Sequence, residues 1–340
     1  MTDHAPRLAF GEAAPEIIRI LERSSRWILL SHTKPDGDTL GCCSAFRTTG
    51  LAMGKEVLWG GPDPVPDIYS FLPGTHDFIP GMNLSDFLSG EDTAVIVLDT
   101  ATAARSVEGL AELPDSIPLI NIDHHKDNEG FGTVAWIDQD ASSVGEMCWM
   151  LFQEWGTALS LEAAEALYTA IVTDSGNFSF AATTPRTHQA AAGLLALGVK
   201  PAKLEQLIKC SRTPGGLRLR GAALKRVENA GPYAAITWIS REDFIETGGD
   251  PSETESLVNE LLTIRTASFA ALLIEEEDGV RASLRSRGGL SASEAARTFG
   301  GGGHLQAAGC TLPLPLEGAV AAIRAYLEKN NVPLRSISSE

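Results

Sequence analysis

The chain has 340 residues and a formal net charge of −17, a length that favours two domains over a single core. Its 44% apolar and 6% aromatic content is that of a globular protein, with no apolar run long enough to span a bilayer and no signal-peptide pattern, so a cytoplasmic protein is expected. The acidic balance argues against a protein that grips long duplex nucleic acid, and five cysteines without CxxC spacing argue against a disulfide framework or a thiolate zinc site.

The first 200 residues alternate between strand and helix patterns, which predicts an α/β domain with a doubly wound, mostly parallel sheet. Helices are predicted near residues 12–25, 39–53, 142–154, 161–171 and 184–197. Strands are predicted at residues 27–31, 55–59, 94–98, 118–122 and 133–137. We assign residues 1–200 to this domain.

The rest of the chain predicts a helical linker at residues 201–230 and a smaller C-terminal α/β domain at 231–340, with a cleft between the domains. The linker region is rich in basic residues, which either line that cleft or form a solvated helix face. Strands are expected near 233–239, 267–274 and 280–284, with an acidic turn at 275–279. Helices are expected near 253–263, 291–299 and 316–330, and a short one after the glycine run at 300–303.

Acidic and imidazole side chains follow three of the predicted strands, and one more acid ends a predicted helix. Because ligands bind at the carboxyl ends of the strands in such sheets, we expect these side chains to meet. A single aspartate after a strand often only caps the next helix, so the prediction depends on their number. The candidates are His32, Asp36, Asp38, Asp99, Asp123, His124, His125 and Asp174.

Carboxylates with imidazoles and without thiolates suit divalent ions such as Mn²⁺, Mg²⁺ or Co²⁺, and the imidazoles favour Mn²⁺ over Mg²⁺. Six of these residues are taken as candidate ligands, namely His32, Asp36, Asp38, Asp99, His124 and Asp174. Six ligands exceed the need of one catalytic ion and fit two ions roughly 3.5–4 Å apart with a shared carboxylate. Asp99 stands alone after a central strand, so we choose it as the bridge. Such a pair produces hydroxide near neutral pH and clamps a phosphoryl oxygen.

In the second domain, four glycines precede His304 and are predicted to open a helix whose backbone N–H groups approach an anion. Arg285 and Arg287 follow a predicted strand and can fork onto a phosphate. A flexible loop is the alternative for the glycine run. The predicted phosphate site comprises Arg285, Arg287, Gly301, Gly302, Gly303 and His304.

The motifs HTKPDGD, VLD, DHH and TDSG, in this order, resemble those of the DHH phosphoesterase superfamily. LRSRG followed by FGGGGHLQAAG resembles the DHH-associated C-terminal domain. Together they resemble the NrnA-type subgroup, nanoRNA oligoribonucleases that also act as 3′-phosphoadenosine-5′-phosphate (pAp) phosphatases. The resemblance spans nearly the whole chain; one departure is Leu305–Gln306, where relatives often carry basic residues.

The resemblance implies a role for each motif residue. One ion would be held by His32, Asp36 and Asp99, and the other by Asp38, Asp99, His124 and Asp174. His125 would face the scissile phosphate or the leaving oxygen, and Asp123 would orient the neighbouring imidazoles, which completes a catalytic set of Asp99, Asp123, His124 and His125. Arg285, Arg287 and His304 would bind the phosphate or base end of the substrate.

The implied activity is metal-dependent hydrolysis of short oligonucleotides, such as dinucleotides, to mononucleotides and of pAp to AMP. The alternatives are a cyclic-dinucleotide phosphodiesterase, a manganese pyrophosphatase and, in a different class, a non-catalytic nucleotide-binding regulator. The glycine run and the arginine pair argue against the pyrophosphatase, and the filled ligand positions argue against the regulator. No membrane partner is expected, and the oligomeric state is left open, with a homodimer as one option.

Overall fold

The computed structural model describes residues 7–88, 92–128, 130–209, 213–254, 256–303 and 305–330. The chain divides into two compact units, Met1–Ser211 and Arg212–Glu340. Within the described ranges, every helix is too short or too polar to cross a bilayer.

The first unit is built on a seven-stranded sheet in which every pair of neighbouring strands is parallel. The strands are β1 (Arg7–Leu8), β2 (Arg26–Leu30), β3 (Glu56–Gly61), β4 (Ile79–Pro80), β5 (Thr93–Leu98), β6 (Leu119–Asp123) and β7 (Val134–Ile137). They run across the sheet in the order β1-β7-β6-β5-β2-β3-β4. The predicted parallel sheet is therefore confirmed, and the two-residue edge strands β1 and β4 are additions to the prediction.

Helices of the first unit connect these strands and cover the sheet. They are α1 (Phe10–Arg23), α2 (Gly37–Ala52), α3 (Val144–Trp155), α4 (Leu161–Asp174), α5 (Pro185–Ala196) and α6 (Pro201–Lys209). Side-chain oxygens of Asp36, Ser143 and Ser160 cap α2, α3 and α4, because the first N–H groups of a helix have no partner within it.

Both faces of the sheet are buried, as the apolar run of β5 requires. Ile96 and Leu98 belong to a core cluster shared with α1 to α4, whereas Val95 and Val97 pack on the opposite face with Leu84. A strand buried on both faces cannot alternate between apolar and polar residues. The first charged side chain of this segment is Asp99, directly after the end of β5.

The order of the strands places the carboxyl end of β5 where sheets of this kind bind ligands. From β2 the chain moves outward to β3 and β4, and from β5 it moves in the other direction to β6 and β7. The direction therefore switches between β2 and β5, and ligands bind at such a switch point, beyond the carboxyl ends of the strands.

The second unit contains a mixed six-stranded sheet in the order β12-β13-β11-β10-β9-β8. Its strands are β8 (Glu228–Asn229), β9 (Ala234–Ile239), β10 (Phe269–Glu275), β11 (Val280–Ser286), β12 (Gly302–Gly303) and β13 (Ala307–Leu312). Its helices are α7 (Pro214–Lys225), α8 (Arg241–Thr247), α9 (Leu257–Leu261), α10 (Ala292–Thr298) and α11 (Leu316–Asn330). Separate apolar clusters cover the two faces of the sheet.

The prediction that the glycine run opens a helix is wrong. Helix α10 ends before the run, and Gly302–Gly303 form β12 against β13. Gly300 and Gly303 have φ values of 76° and 139°, which no α-helix contains, and a Cβ on Gly301 would lie 2.2 Å from the Gly309 carbonyl oxygen. The glycines therefore allow close strand packing, and the helix-dipole argument for anion binding at this place no longer applies.

Three further predictions differ from the structure in detail. The predicted helix at 253–263 is a 3₁₀ turn (Pro251–Thr254) followed by the short α9. Arg285 lies within β11 rather than after it. In the basic stretch, α6 belongs to the first unit and α7 to the second. Several of its cations form ion pairs within their own unit, namely Lys203 with Glu165, Arg220 with Glu260 and Arg226 with Asp243.

The cysteines behave as small buried residues, as the sequence predicted. Cys42, Cys43, Cys148 and Cys310 are free thiols and are buried, while Cys210 lies outside the described residues. Burial raises the pKa of Cys43 to about 12, so this thiol stays protonated and unreactive at neutral pH.

We predict that Gly41→Ala destabilises the first unit, because α2 and α4 touch at this residue. A Cβ on Gly41 would lie 2.5 Å from the Ala166 carbonyl oxygen and 3.0 Å from the Ala170 Cβ, and such overpacking costs about 1–3 kcal/mol. Urea unfolding followed by tryptophan fluorescence measures the loss, since every tryptophan except Trp238 lies in this unit.

The matched control is Gly11→Ala on α1, where a Cβ meets nothing within 4 Å. There alanine should leave the free energy of unfolding unchanged or raise it by up to about 1 kcal/mol. Equal effects of the two substitutions would contradict the close α2–α4 contact.

Candidate metal centre

The six predicted ligands come together beyond the carboxyl edge of the first sheet. Together with His125 they form three overlapping groups, and within each group the potential ligand atoms lie within 4.8 Å of one another. The groups are His32, Asp36 and Asp99; Asp38, His124 and Asp174; and Asp99, His124 and His125. Asp99 and His124 each belong to two groups, so the three groups form one continuous cluster.

Asp99 occupies the centre of this cluster. Its Oδ2 lies 3.3 Å from His32 Nε2 and its Oδ1 lies 3.5 Å from His124 Nε2, so the two carboxyl oxygens face different imidazoles. The residue is 2% exposed, and Oδ1 has no hydrogen-bond partner among the described residues. Its φ is 60°, a left-handed conformation that aspartate tolerates better than most residues and that is frequent at functional sites.

The rings of His32 and His124 are oriented by backbone carbonyl groups. His32 Nδ1 lies 2.7 Å from the Thr33 oxygen, and His124 Nδ1 lies 3.1 Å from the Ala141 oxygen. A hydrogen on each Nδ1 leaves each Nε2 as the ligand atom, which is the usual arrangement of metal-binding histidines.

Asp36 and Asp38 are fixed by helix N-termini. Asp36 Oδ1 accepts hydrogen bonds from the backbone N–H groups of Asp38 and Thr39, 3.0 and 3.3 Å away. The buried Asp38 carboxylate accepts from the first N–H groups of α3, with Val144 N 2.7 Å from Oδ2 and Gly145 N 2.8 Å from Oδ1. These N–H groups compensate negative charge that burial would otherwise make costly.

Asp174 reaches the cluster because α2 and α4 approach closely. It lies at the end of α4, with Oδ2 3.5 Å from His124 Nε2. At the neighbouring position, a Cβ on Gly37 would lie 2.3 Å from Thr173 Oγ1, so only glycine fits there. The glycine of the HTKPDGD motif thus brings Asp38 near Asp174.

Asp123 and His125 form a pair beside the cluster. Asp123 is 0% exposed, and its Oδ1 lies 2.7 Å from His125 Nδ1. Its other oxygen accepts a hydrogen bond of 2.6 Å from Asn128 Nδ2. The hydrogen bond to Asp123 raises the pKa of His125. The sequence prediction missed Asn128, since one asparagine in a polar loop carries no recognisable signal.

Protonation of the imidazoles balances the carboxylates in the ion-free centre. Burial alone would lower the pKa of His32, but hydrogen bonds to Asp36 and Asp99 raise it to about 10. His124 behaves in the same way beside Asp99, with a pKa of about 11. Burial and the charges of Asp99 and Asp36 raise the pKa of Asp174 to about 7. A cation that binds at these ligand atoms would therefore compete with protons.

The donor set fits divalent ions. It contains oxygen and imidazole nitrogen without sulfur, which suits Mn²⁺ and Mg²⁺. Ligand atoms of an octahedral ion with bonds of about 2.1 Å lie about 3 Å apart, and the nitrogen–oxygen distances here are 3.3–3.7 Å. The partnerless Asp99 oxygen is likewise a group that a cation would satisfy.

In the second unit, Arg285 lies on β11, Arg287 follows that strand, and Gly302 and Gly303 form the edge strand β12. Arg285 lies half-buried on β11. Among the described residues, its guanidinium donates a hydrogen bond only to the Leu284 carbonyl oxygen and has no carboxylate partner. Burial lowers its pKa. Arg287 donates to the carbonyl oxygens of Ile264 and Arg265.

The glycines of the run differ in the space around them. Gly301 and Gly303 pack tightly on β13, whereas a Cβ on Gly302 would meet nothing within 4 Å. His304 lies outside the described residues, so its position is not assigned.

Comparisons with known proteins cover both units. Residues 26–171 match the DHH family, N-terminal domain, and residues 232–329 match the DHHA1 domain. The chain is 32% identical to the bifunctional oligoribonuclease and PAP phosphatase NrnA of Thermus thermophilus, over 92% of each chain.

Solved structures share the fold. An exopolyphosphatase-related protein from Bacteroides fragilis superposes with a TM-score of 0.85 at 24% identity, covering 94% of this chain and 97% of that one. RecJ from Thermus thermophilus, in complex with Mn²⁺, superposes with a TM-score of 0.57 at 16% identity, covering 98% of this chain and 57% of that one.

The two matched domains occur in the order of the two structural units, and the motif residues of the first domain converge at one sheet edge. The chain belongs to the DHH family and, with its DHHA1 domain, to the NrnA-type group within that family.

Proposed function

We propose that the protein is a metal-dependent phosphoesterase that hydrolyses short oligonucleotides to mononucleotides and pAp to AMP. The observation that carries the proposal is the buried cluster around Asp99, whose two oxygens face His32 and His124. The similarity to a bifunctional oligoribonuclease and PAP phosphatase over 92% of both chains supports this substrate class.

The centre is proposed to hold two divalent ions, with Mn²⁺ preferred over Mg²⁺ or Co²⁺ because of the imidazoles. His32, Asp36 and Asp99 would hold one ion, and Asp38, Asp99, His124 and Asp174 the other. Ions bound in this way lower the pKa of a coordinated water to near neutrality and stabilise charge on a phosphoryl oxygen. Four aspartates in one cluster supply the negative charge that two divalent ions require.

The neighbouring residues complete the chemistry. His125 is held through Nδ1 by Asp123, so its Nε2–H remains free to donate a hydrogen bond to the phosphate or a proton to the leaving oxygen. The hydrogen bond to Asp123 raises the pKa of His125, which favours the protonated imidazole that this task requires. Asn128 holds the other Asp123 oxygen and thereby fixes the pair.

In the second unit, we propose that Arg285, Arg287 and His304 bind the phosphate or base end of the substrate. Arg285 supports this because its half-buried charge has no carboxylate partner in the part of the chain that the structure describes. A desolvated guanidinium without an acid is suited to binding a phosphate. Gly302 leaves room for a ligand to approach the backbone, as the empty space around its Cβ position indicates.

We predict that with Mn²⁺ the protein releases phosphate from pAp and degrades dinucleotides more efficiently than long single strands, because its acidic surface repels a trailing strand. The value of kcat/KM is measured for a panel of pAp, dinucleotides, five-mers, long strands, cyclic dinucleotides and pyrophosphate.

We predict that Asp99→Asn lowers turnover and Mn²⁺ affinity by more than about 100-fold. Asparagine tolerates the left-handed φ of this position, so the backbone should not change.

Other results of this panel would replace the proposal. Preference for pyrophosphate would make the protein a pyrophosphatase, and nucleotide binding without any hydrolysis would make it a regulator. Retention of two ions and normal rates by Asp99→Asn would refute Asp99 as the carboxylate shared by the two ions.

We predict that Mn²⁺ binding releases protons and strengthens as pH rises. The ion-free centre holds protons on His32 and His124, whose pKa values are about 10 and 11, and these must leave before Nε2 can bind an ion. Each released proton should raise the affinity by about tenfold per pH unit between pH 6 and 8. Calorimetric titration in two buffers of different ionisation enthalpy counts the protons, and an affinity independent of pH would contradict the ligand assignment.

We predict that Arg285→Ala lowers kcat/KM for pAp by roughly one to two orders of magnitude, because a lost charge-assisted hydrogen bond costs about 1.5–3 kcal/mol. Gly302→Val should have a similar effect without destabilising the fold, since its side chain meets no neighbour. Both variants should bind Mn²⁺ normally.

The matched control is Arg281→Ala on the same strand, whose guanidinium is already paired with Glu276 at 2.6 Å. It should retain normal kcat/KM for pAp. Equal behaviour of the two arginine variants would remove the second unit's proposed role in substrate binding.

A further inference from the structure

Glu146 on α3 is a buried carboxylate that belongs to none of the ligand groups. Its exposed fraction is 0%. Its Oε2 accepts hydrogen bonds from the hydroxyl groups of Ser142 and Thr187, each at 2.7 Å. Its Oε1 accepts from Arg186 Nε at the start of α5. Both oxygens of the buried Glu146 carboxylate are therefore hydrogen-bonded, which orders the groups that donate to them.

Arg186 extends this network to the end of β7. Its Nη1 lies 2.8 Å from Asp138 Oδ2, and Asp138 is the first residue after the strand. The segment at residues 138–143, between β7 and α3, is therefore tied at both ends. Asp138 is bound at one end by Arg186, and Ser142 is bound at the other by Glu146.

The same segment supports two candidate ligands. The Ala141 carbonyl oxygen lies 3.1 Å from His124 Nδ1. Immediately beyond the segment, the N–H groups of Val144 and Gly145 donate to the Asp38 carboxylate. A shift of this segment would therefore turn the His124 ring and move Asp38 together, although Glu146 and Arg186 contact neither ligand in the described hydrogen bonds and ion pairs.

We infer that Glu146 and Arg186 are positioning residues for the metal centre, which they act on through the 138–143 segment. They hold the Ala141 carbonyl group that fixes the Nδ1–H form of His124 and the α3 N-terminus that fixes Asp38. The inference rests on the proposed two-ion site. Outer partners of metal ligands set ring orientation and ligand basicity, and their loss typically weakens metal affinity by about 10–100-fold.

Two conservative substitutions test the network. Glu146→Gln keeps the shape but points an amide N–H group, or a weaker acceptor, at Arg186. Arg186→Lys keeps the charge but loses the planar fork that reaches Glu146 and Asp138 together. In the full-length protein, calorimetric titration with Mn²⁺ alone should show that each variant binds at least one of the two ions with an affinity lowered by about 10–100-fold.

The control separates positioning from stability. Leu84→Ala removes a 0% exposed side chain on the opposite face of the sheet. It should lower the urea midpoint at least as much as the two network variants and leave Mn²⁺ affinity unchanged. If Glu146→Gln fails to fold, Arg186→Lys against Leu84→Ala decides the question.

The outcomes distinguish this inference from the proposed function. Absence of Mn²⁺ binding by the unaltered protein would refute the metal centre itself. Normal binding by the unaltered protein and by both network variants would overturn only the positioning role. Equal weakening in Leu84→Ala would overturn it too, because the loss would then follow general destabilisation.

Discussion

The concentration of four aspartates at one edge of a buried sheet is the constraint on which the first unit depends. Like charges this close repel one another, and the burial of Asp38 and Asp99 removes the water that would screen these two. The structure compensates Asp38 with the N-terminus of α3 and surrounds Asp99 with imidazoles. Divalent ions would replace the protons of those imidazoles. Because bound cations would also relieve the repulsion among the carboxylates, the free energy stored in that repulsion would favour metal binding.

The fold creates this concentration with a few local devices. The strand order reverses direction between β2 and β5, which leaves room for a ligand beyond the strand ends. Asp99 adopts a left-handed φ, and Gly37 admits the side chain of Thr173. Each device is tolerable only because surrounding contacts stabilise it, which is the usual relation between local strain and a functional site.

The second unit contains a half-buried cation on β11. Arg285 keeps a half-buried cation without a carboxylate among the described residues, whereas Arg281 on the same strand is paired with Glu276. A cluster of aspartates and imidazoles suits cations, whereas a desolvated guanidinium suits phosphate groups.

The sequence by itself determined the parallel α/β sheet and the six candidate ligands, because apolar strands followed by Asp and His are local patterns whose ends must meet at one sheet edge. Only the tertiary structure decided which other groups hold these candidate ligands in place. Asn128 on Asp123, the Ala141 carbonyl on His124 and the Glu146 network join residues with no shared local pattern. The glycine run was misread as a helix start because glycines suit both a helix start and the close pairing that Gly302 and Gly303 make with β13 a few residues later.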